Sequence, residues 1–209
     1  MKIAIIGAGN VGGTLGKGWA KHGHTVTFAV RDVNDPKLQS LLRDAPGAKA
    51  APAAEAVAAS EIVVLATPWD ANEAALRGAG NLAGKVLLDC TNPLKADLSG
   101  LAVGNTTSGA EMVAGWAKGA RVVKIFNTTG FPNMANPRYA EGPAVMFYCG
   151  DDAAAKENAA KLATDLGFEA KDAGELAIAR LLEPYAMLWI HLAMRQGLGT
   201  GCAFKLMKR

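Results

Sequence analysis

The chain has 209 residues, of which 50% are hydrophobic and 20% charged. That composition supports a packed core and excludes disorder over most of its length. The net charge of +3 is scattered, which gives no nucleic-acid footprint, and no uninterrupted apolar run approaches the ~20 residues of a membrane-spanning helix.

Lys2–Ile6 reads as a buried strand. Its apolar run breaks at Gly7, too short for the ~7–15 residues of a secretory core, so no signal peptide is expected. A glycine-rich turn over Gly7–Gly13 opens a helix from Asn10 to about Lys21, with Gly23 as its stop. Thr25–Val30 is a second strand, rich in Val, Thr and Phe. Short helices follow at Pro36–Arg43 and Pro52–Ala59, the latter with Pro52 in its first turn. Glu61–Ala66 is a third strand, after which Thr67 is placed to cap a helix and Pro68 to begin it. Lys85–Asp89 and Arg121–Phe126 read as strands, with a helix over Ser108–Lys118 between them. Strand, helix and strand in this order imply parallel pairing through crossover helices. The fold class is therefore α/β, a doubly wound parallel sheet, over residues 1–140.

Residues 141–209 read as a small α+β part. Its elements are a strand at Ala144–Tyr148, a helix at Ala153–Leu166, a short strand at Phe168–Lys171 and a helical stretch at Glu175–Gln196, interrupted by Pro184. From Tyr185 to Met194 that stretch is apolar almost all round, so it is expected in the core and partly against a second copy, giving a homodimer. Cys90, Cys149 and Cys202 are far apart and odd in number, which fits free thiols in a reducing cytoplasm. Cys90 reads as a buried, inert thiol. His22, His24 and His191 have no neighbouring ligand cluster, so no metal site is expected.

Gly7-Ala8-Gly9-Asn10-Val11-Gly12 matches G-x-G-x-x-G directly after a strand and at the opening of a helix. In a Rossmann domain Gly7 permits the tight turn, Gly9 lets a pyrophosphate approach the backbone, and Gly12 lets helix and strand pack closely. The free N–H groups of Asn10, Val11 and their neighbours then face the phosphates. The second strand ends in Arg31, where an NAD site would carry an acid, and Lys37 follows. An arginine there can hold a 2′-phosphate with two parallel bonds, so NADP(H) is the expected cofactor. Ligands lie at the carboxyl ends of such strands, which brings in Thr67-Pro68-Trp69, Asn92-Pro93 and Asn127-Thr128-Thr129. The terminal helix carries no lysine, and His191 sits among apolar neighbours, so no protein acid is identified and no catalytic residue is assigned.

These residues carry a resemblance to the NADP-dependent coenzyme F-420 (deazaflavin) oxidoreductases. It rests on Ile6–Gly12, Arg31, Pro68-Trp69, Cys149-Gly150-Asp151-Asp152 and the closing run Gly174–Leu206 with Arg180-Leu181 and Gly197-Leu198-Gly199. The chain is similar also to the cytosolic oxidoreductase domain of six-transmembrane metalloreductases. The resemblance implies hydride transfer between NADPH and a deazaflavin or flavin-like acceptor. It implies Asn127 beside the nicotinamide, and Thr128, Thr129, Gly197, Leu198 and Gly199 beside the acceptor. Two other readings stand beside it: a reductase of a small carbonyl or imine, and a non-enzymatic NADP(H)-sensing domain.

Arg31→Ala is expected to weaken NADPH binding by ~10- to 150-fold, from the ~1.5–3 kcal/mol of a charged hydrogen bond, and NADH binding far less. Titration with both cofactors checks this, and equal losses refute the assignment.

Overall fold

The computed structural model describes all residues from Met1 to Arg209. Its strands are β1 (Lys2–Ile6), β2 (Thr25–Ala29), β3 (Lys49–Ala51), β4 (Ile62–Leu65), β5 (Val86–Asp89), β6 (Arg121–Lys124), β7 (Arg138–Tyr139), β8 (Gly142–Pro143), β9 (Val145–Gly150) and β10 (Glu169–Asp172). The helices are α1 (Asn10–Lys21), α2 (Pro36–Asp44), α3 (Ala53–Ala58), α4 (Asn72–Arg77), α5 (Gly109–Trp116), α6 (Phe131–Ala135), α7 (Ala153–Asp165) and α8 (Ala179–Ile190). Eight strands form one sheet in the order β10-β9-β6-β5-β4-β1-β2-β3.

The residue pattern of β1 explains the layering. Ile3 and Ile5 point to one face, packing with Trp19 of α1, Leu38 of α2 and Leu162 of α7. Ala4 and Ile6 point to the other, packing with Val57 of α3, Leu76 of α4, Val113 of α5 and Leu182 of α8. Every residue of β4 and β5 is buried, as strands covered on both faces require. The expected doubly wound sheet is present, with one correction. The β6–β9 pair is antiparallel, registering Lys124 with Cys149, because α6 and the β7–β8 hairpin return the chain to the end at which β6 finished. Residues after 140 supply β9 and β10 to this same sheet.

Several local expectations are also corrected. β3 has no β-branched residue to announce it, and it forms by pairing with Thr27–Ala29. Pro52 occupies the cap of α3 rather than its first turn. Thr67 caps no helix: Trp69–Ala71 forms a 3-10 turn, and the Thr67 hydroxyl donates to Asn72 Oδ1 at 2.7 Å. Pro184 does not interrupt the terminal helix, which runs through it and ends in a π-helical turn, His191–Arg195. The helical run Leu176–Arg195 is long and apolar enough to cross a membrane by length and composition alone. Here it packs on the sheet with Glu183 and Trp189 buried, leaving Leu181, Leu188 and Met194 exposed on the face expected to meet a second copy.

Two glycines bind α1 to the sheet. Gly7 has φ +105°, and a Cβ on it would stand 2.5 Å from the Ala66 carbonyl oxygen. A Cβ on Gly12 would stand 1.9 Å from the Gly7 carbonyl oxygen. Gly12→Ala is therefore expected to destabilise the fold by about 1–3 kcal/mol, a drop of roughly 2–12 °C in Tm. Gly9→Ala, with nothing within 4 Å of the added carbon, leaves Tm unchanged. Thermal unfolding of both variants tests the contrast.

Candidate functional site

The glycine turn delivers the N-terminus of α1 to the carboxyl edge of the sheet. The first bond of the helix runs from Gly13 N–H to Gly9 carbonyl at 2.7 Å, so the N–H groups of Asn10, Val11 and Gly12 precede the ladder. No side chain caps this end and no acid occupies its first turn. The open space at Gly9 lies where these N–H groups point, which suits an anion held against backbone.

Two clefts meet at this edge. The larger, about 930 Å³, runs from Gly7 and Ala8 past Arg31 and Lys37 to Thr67 and Pro68. Arg31 and Lys37 are exposed and make no ion pair. The acids beside them are committed to the turn: Asp32 accepts the Asn34 N–H at 2.8 Å, and Asp35 accepts the Lys37 N–H at 2.8 Å. The smaller cleft, about 490 Å³, is lined by Val11, Thr67–Asp70, Cys90–Asn92 and the loop around Leu94 and Leu98. Thr67 and Pro68 wall both clefts. Pro93 is buried instead, pressed with the Trp69 ring against Gly109 at the start of α5.

Asn127 is reached through a backbone turn. Phe126 is buried between Trp19 and Phe168 with φ +59°, a costly conformation for a bulky residue. Asn127 then forms a reciprocal pair with Asn92. Asn92 Nδ2 donates to the Asn127 carbonyl at 2.9 Å, and Asn127 Nδ2 donates to Asn92 Oδ1 at 3.1 Å and to the Leu182 carbonyl at 3.2 Å. These acceptors fix the amide orientation and leave Asn127 Oδ1 buried without a partner. Thr128 is buried in the core, its hydroxyl 3.8 Å from Met146 Sδ, and Thr129 accepts from Asn133 Nδ2 at 2.8 Å. Gly197 and Gly199 both have φ +75° in an exposed turn that lines neither cleft. Arg195, just before that turn, donates to the Leu98 carbonyl at 3.3 Å and so joins it to the rim of the smaller cleft.

Under the smaller cleft lies a buried ion cluster. Lys124, at the end of β6, has no exposed side-chain surface. Its Nζ meets Asp89 Oδ2 of β5 at 2.9 Å, Glu183 Oε1 of α8 at 2.9 Å, and the Thr91 carbonyl. Burial alone would depress the Lys124 pKa, but the Asp89 and Glu183 carboxylates outweigh it and hold the value above that of an ordinary lysine. Glu183 also accepts the N–H groups of Gly109 and Ala110 at 2.8 and 3.0 Å, capping α5 at its positive end. The Cys90 thiol is pushed well up by burial and by Asp89, so it is inert as expected. Cys149 is likewise pushed up to about 12, chiefly by burial.

A family model described as "NADP oxidoreductase coenzyme F420-dependent" matches residues 2–93. The F420-dependent NADP reductase of Methanothermobacter marburgensis is 31% identical over 212 residues, covering 93% of each chain. The chain belongs to the F420-dependent NADP oxidoreductase family. A member of this size is also similar to Metalloreductase STEAP3 of Rattus norvegicus, 30% identical over 87% of this chain but only 36% of that protein's length. A crystal structure from Arthrobacter sp. FB24, provisionally described as an F420-dependent NADP reductase, superposes over the whole of both chains with TM-score 0.89 at 35% identity. The reductive aminase of Aspergillus terreus, solved with NADPH and ethyl levulinate, matches at TM-score 0.67 and 25% identity over 62% of its own length.

The residues of this site that sequence reasoning did not single out are Asn72, Asp89, Lys124 and Glu183. The signal was present: Lys124 interrupts an apolar strand, and Glu183 an apolar helix. Charges at such positions are buried only when paired.

Lys124→Met leaves Asp89 and Glu183 facing each other without a counter-charge and is expected to cost about 3–5 kcal/mol in denaturant unfolding. The wild-type contribution is full below the ordinary lysine pKa of about 10.4 and is lost as pH rises through the raised folded value. The wild-type minus variant difference in stability, in which the shared titration of Cys90 and Cys149 cancels, is expected to stay flat from neutral pH to about 10, and that checks the sign.

Proposed function

We propose that this NADP-dependent oxidoreductase transfers hydride between NADPH and a deazaflavin (coenzyme F-420) or flavin-like acceptor. The observation that carries the reading is the pair of clefts meeting at Thr67-Pro68, with unpaired Arg31 and Lys37 lining only the larger one. Arg31 and Lys37 would hold the 2′-phosphate, and the N-terminus of α1 the pyrophosphate. Asn127 Oδ1, the orphaned buried acceptor, fits the amide N–H of a nicotinamide carboxamide. NADPH supplies the hydride when bound.

The remaining work falls to this chain's residues. Thr67, Pro68 and Asn92 orient the nicotinamide end. Trp69, Leu94 and Leu98 give the smaller cleft apolar walls that exclude water from the acceptor. The Gly197-Leu198-Gly199 turn lines neither cleft and adjoins the rim only through the Arg195 bond to the Leu98 carbonyl. Lys124 is no proton donor to a substrate, because it is fully buried and its partners are protein oxygens. Transfer between two ring systems needs alignment and dryness more than a side-chain acid.

The test is an absorbance assay with purified protein, NADPH and oxidised coenzyme F-420, with NADH and FMN in parallel. Loss of the deazaflavin band with NADPH, and little with NADH, is the expected result. Tight NADPH binding without turnover of either acceptor refutes the acceptor and favours a nucleotide-sensing role.

A further inference from the structure

We infer that the buried ion cluster fixes the Thr67 hydroxyl as an obligate hydrogen-bond acceptor toward the dinucleotide, and that the group this hydroxyl meets there is a ribose hydroxyl and not a phosphate oxygen. The inference rests on the dinucleotide reading proposed above.

The argument follows protons outward from the cluster. Donors converge on the Asp89 carboxylate: Lys124 Nζ on Oδ2 at 2.9 Å, and the Thr91 N–H and hydroxyl on Oδ1 at 2.9 and 2.7 Å. A carboxylate so surrounded has only lone pairs to offer, so the Thr91 hydroxyl proton points at Asp89. The Thr91 oxygen is then an acceptor for its next neighbour, Asn72 Nδ2, at 2.9 Å. That settles the orientation of the fully buried Asn72 amide, whose Oδ1 must face Thr67. The Thr67 hydroxyl therefore donates to Asn72 Oδ1 at 2.7 Å. Its single proton is spent inward. Toward the clefts, both of which the residue walls, the Thr67 hydroxyl offers lone pairs alone, and the residue's one unpaired donor is its backbone N–H.

This polarity selects its ligand. A phosphate oxygen at the Thr67 hydroxyl would place acceptor against acceptor, whereas a sugar hydroxyl is a donor and completes the chain. Arg31 and Lys37 line the larger cleft alone, whereas Thr67 walls both, so its hydroxyl stands where a dinucleotide passes from one cleft to the other. The ribose of the nicotinamide half fits that position. Asn72, Thr91 and Asp89 act through Thr67 and are positioning residues. Lys124 and Glu183 hold Asp89 charged and in place, so α8 shares in setting the polarity of the cofactor cleft.

The experiment measures dissociation constants of NADP+, 2′,5′-ADP and nicotinic acid adenine dinucleotide phosphate for wild type, Thr67→Val, Thr67→Ser, Asn72→Ala and the Thr67→Val/Asn72→Ala pair, with Tm of each. Thr67→Val is expected to lose roughly 3- to 10-fold for NADP+. It should lose nothing for 2′,5′-ADP, which has no nicotinamide ribose, and Thr67→Ser should restore NADP+ binding. The nicotinic acid analogue, lacking the amide N–H, should lose as much as NADP+. Asn72→Ala should weaken NADP+ in the same direction, and the double variant should lose no more than Thr67→Val alone. Unchanged NADP+ binding in Thr67→Val, additive losses in the pair, or a loss confined to NADP+ but absent with the analogue each overturn the inference. Wild type that binds neither NADP+ nor 2′,5′-ADP overturns the dinucleotide reading itself.

Discussion

One ammonium group, sealed inside the protein, ties together the parts on which the site depends. Lys124 joins β5 through Asp89, α8 through Glu183, and the loop after β5 through the Thr91 carbonyl. Glu183 extends the tie to the first turn of α5. Burying these ions costs several kcal/mol each, and their attraction offsets that only where the geometry is close and the remaining sites are filled. Here they are filled by backbone N–H groups, a threonine hydroxyl and a helix N-terminus. A hydrophobic cluster of equal volume would pack as well, but it would carry no direction. What the ions add is orientation: each hydrogen bond leaving Asp89 has one permitted sense, and that sense reaches the cleft.

The other end of the site is set by close approach and not by charge. Gly7 and Gly12 let α1 lie against the turn after β1 with no side chain between. That contact aims the helix N-terminus at the space left open by Gly9. The same sheet edge then carries two kinds of rigidity. The glycine-turn end is held by backbone packing, and the Thr67–Asn92 end by a buried polar network. Both are anchored on strands, which locate them more exactly than loops do.

The fold was legible because its strands are nearly continuous apolar runs, and the glycine turn because its spacing has few other uses beside a strand. Arg31, Lys37, Thr67, Pro68, Trp69 and Asn92 were legible through the carboxyl-edge rule, and the two clefts bring them together. The antiparallel β6–β9 pair was not legible, since it depends on the short β7–β8 hairpin, whose residue pairs Arg138–Tyr139 and Gly142–Pro143 carry no strand signal. Nor was the burial of Thr128, because which face a residue takes after a strand turns on the left-handed backbone at Phe126. The ion cluster was hidden for a different reason. Asp89, Lys124 and Glu183 are far apart in the chain, and only the sheet order makes neighbours of them.

The acceptor side is the least regular part of the molecule, and this has a physical consequence. The rim of the smaller cleft is the loop from Leu94 to Leu101, closed by one isolated bridge and carrying Leu98 at φ +55°. Its partner is the Gly197–Gly199 turn, tethered through one Arg195 hydrogen bond at 3.3 Å. The loop has no strand or long helix to hold it, and the turn hangs from the end of the terminal helix through the Leu198 and Gly199 N–H groups. The glycine-turn end, by contrast, is built on the central strands of the sheet and on α1. A common scaffold with a variable rim lets loop residues choose the acceptor while the hydride donor stays fixed. On the proposed reading, discrimination between a deazaflavin, a flavin and an imine resides in Trp69, Leu94 and Leu98 rather than in any residue of the sheet. The Thr67 end owes its orientation to the buried network beneath it and to none of these loop residues.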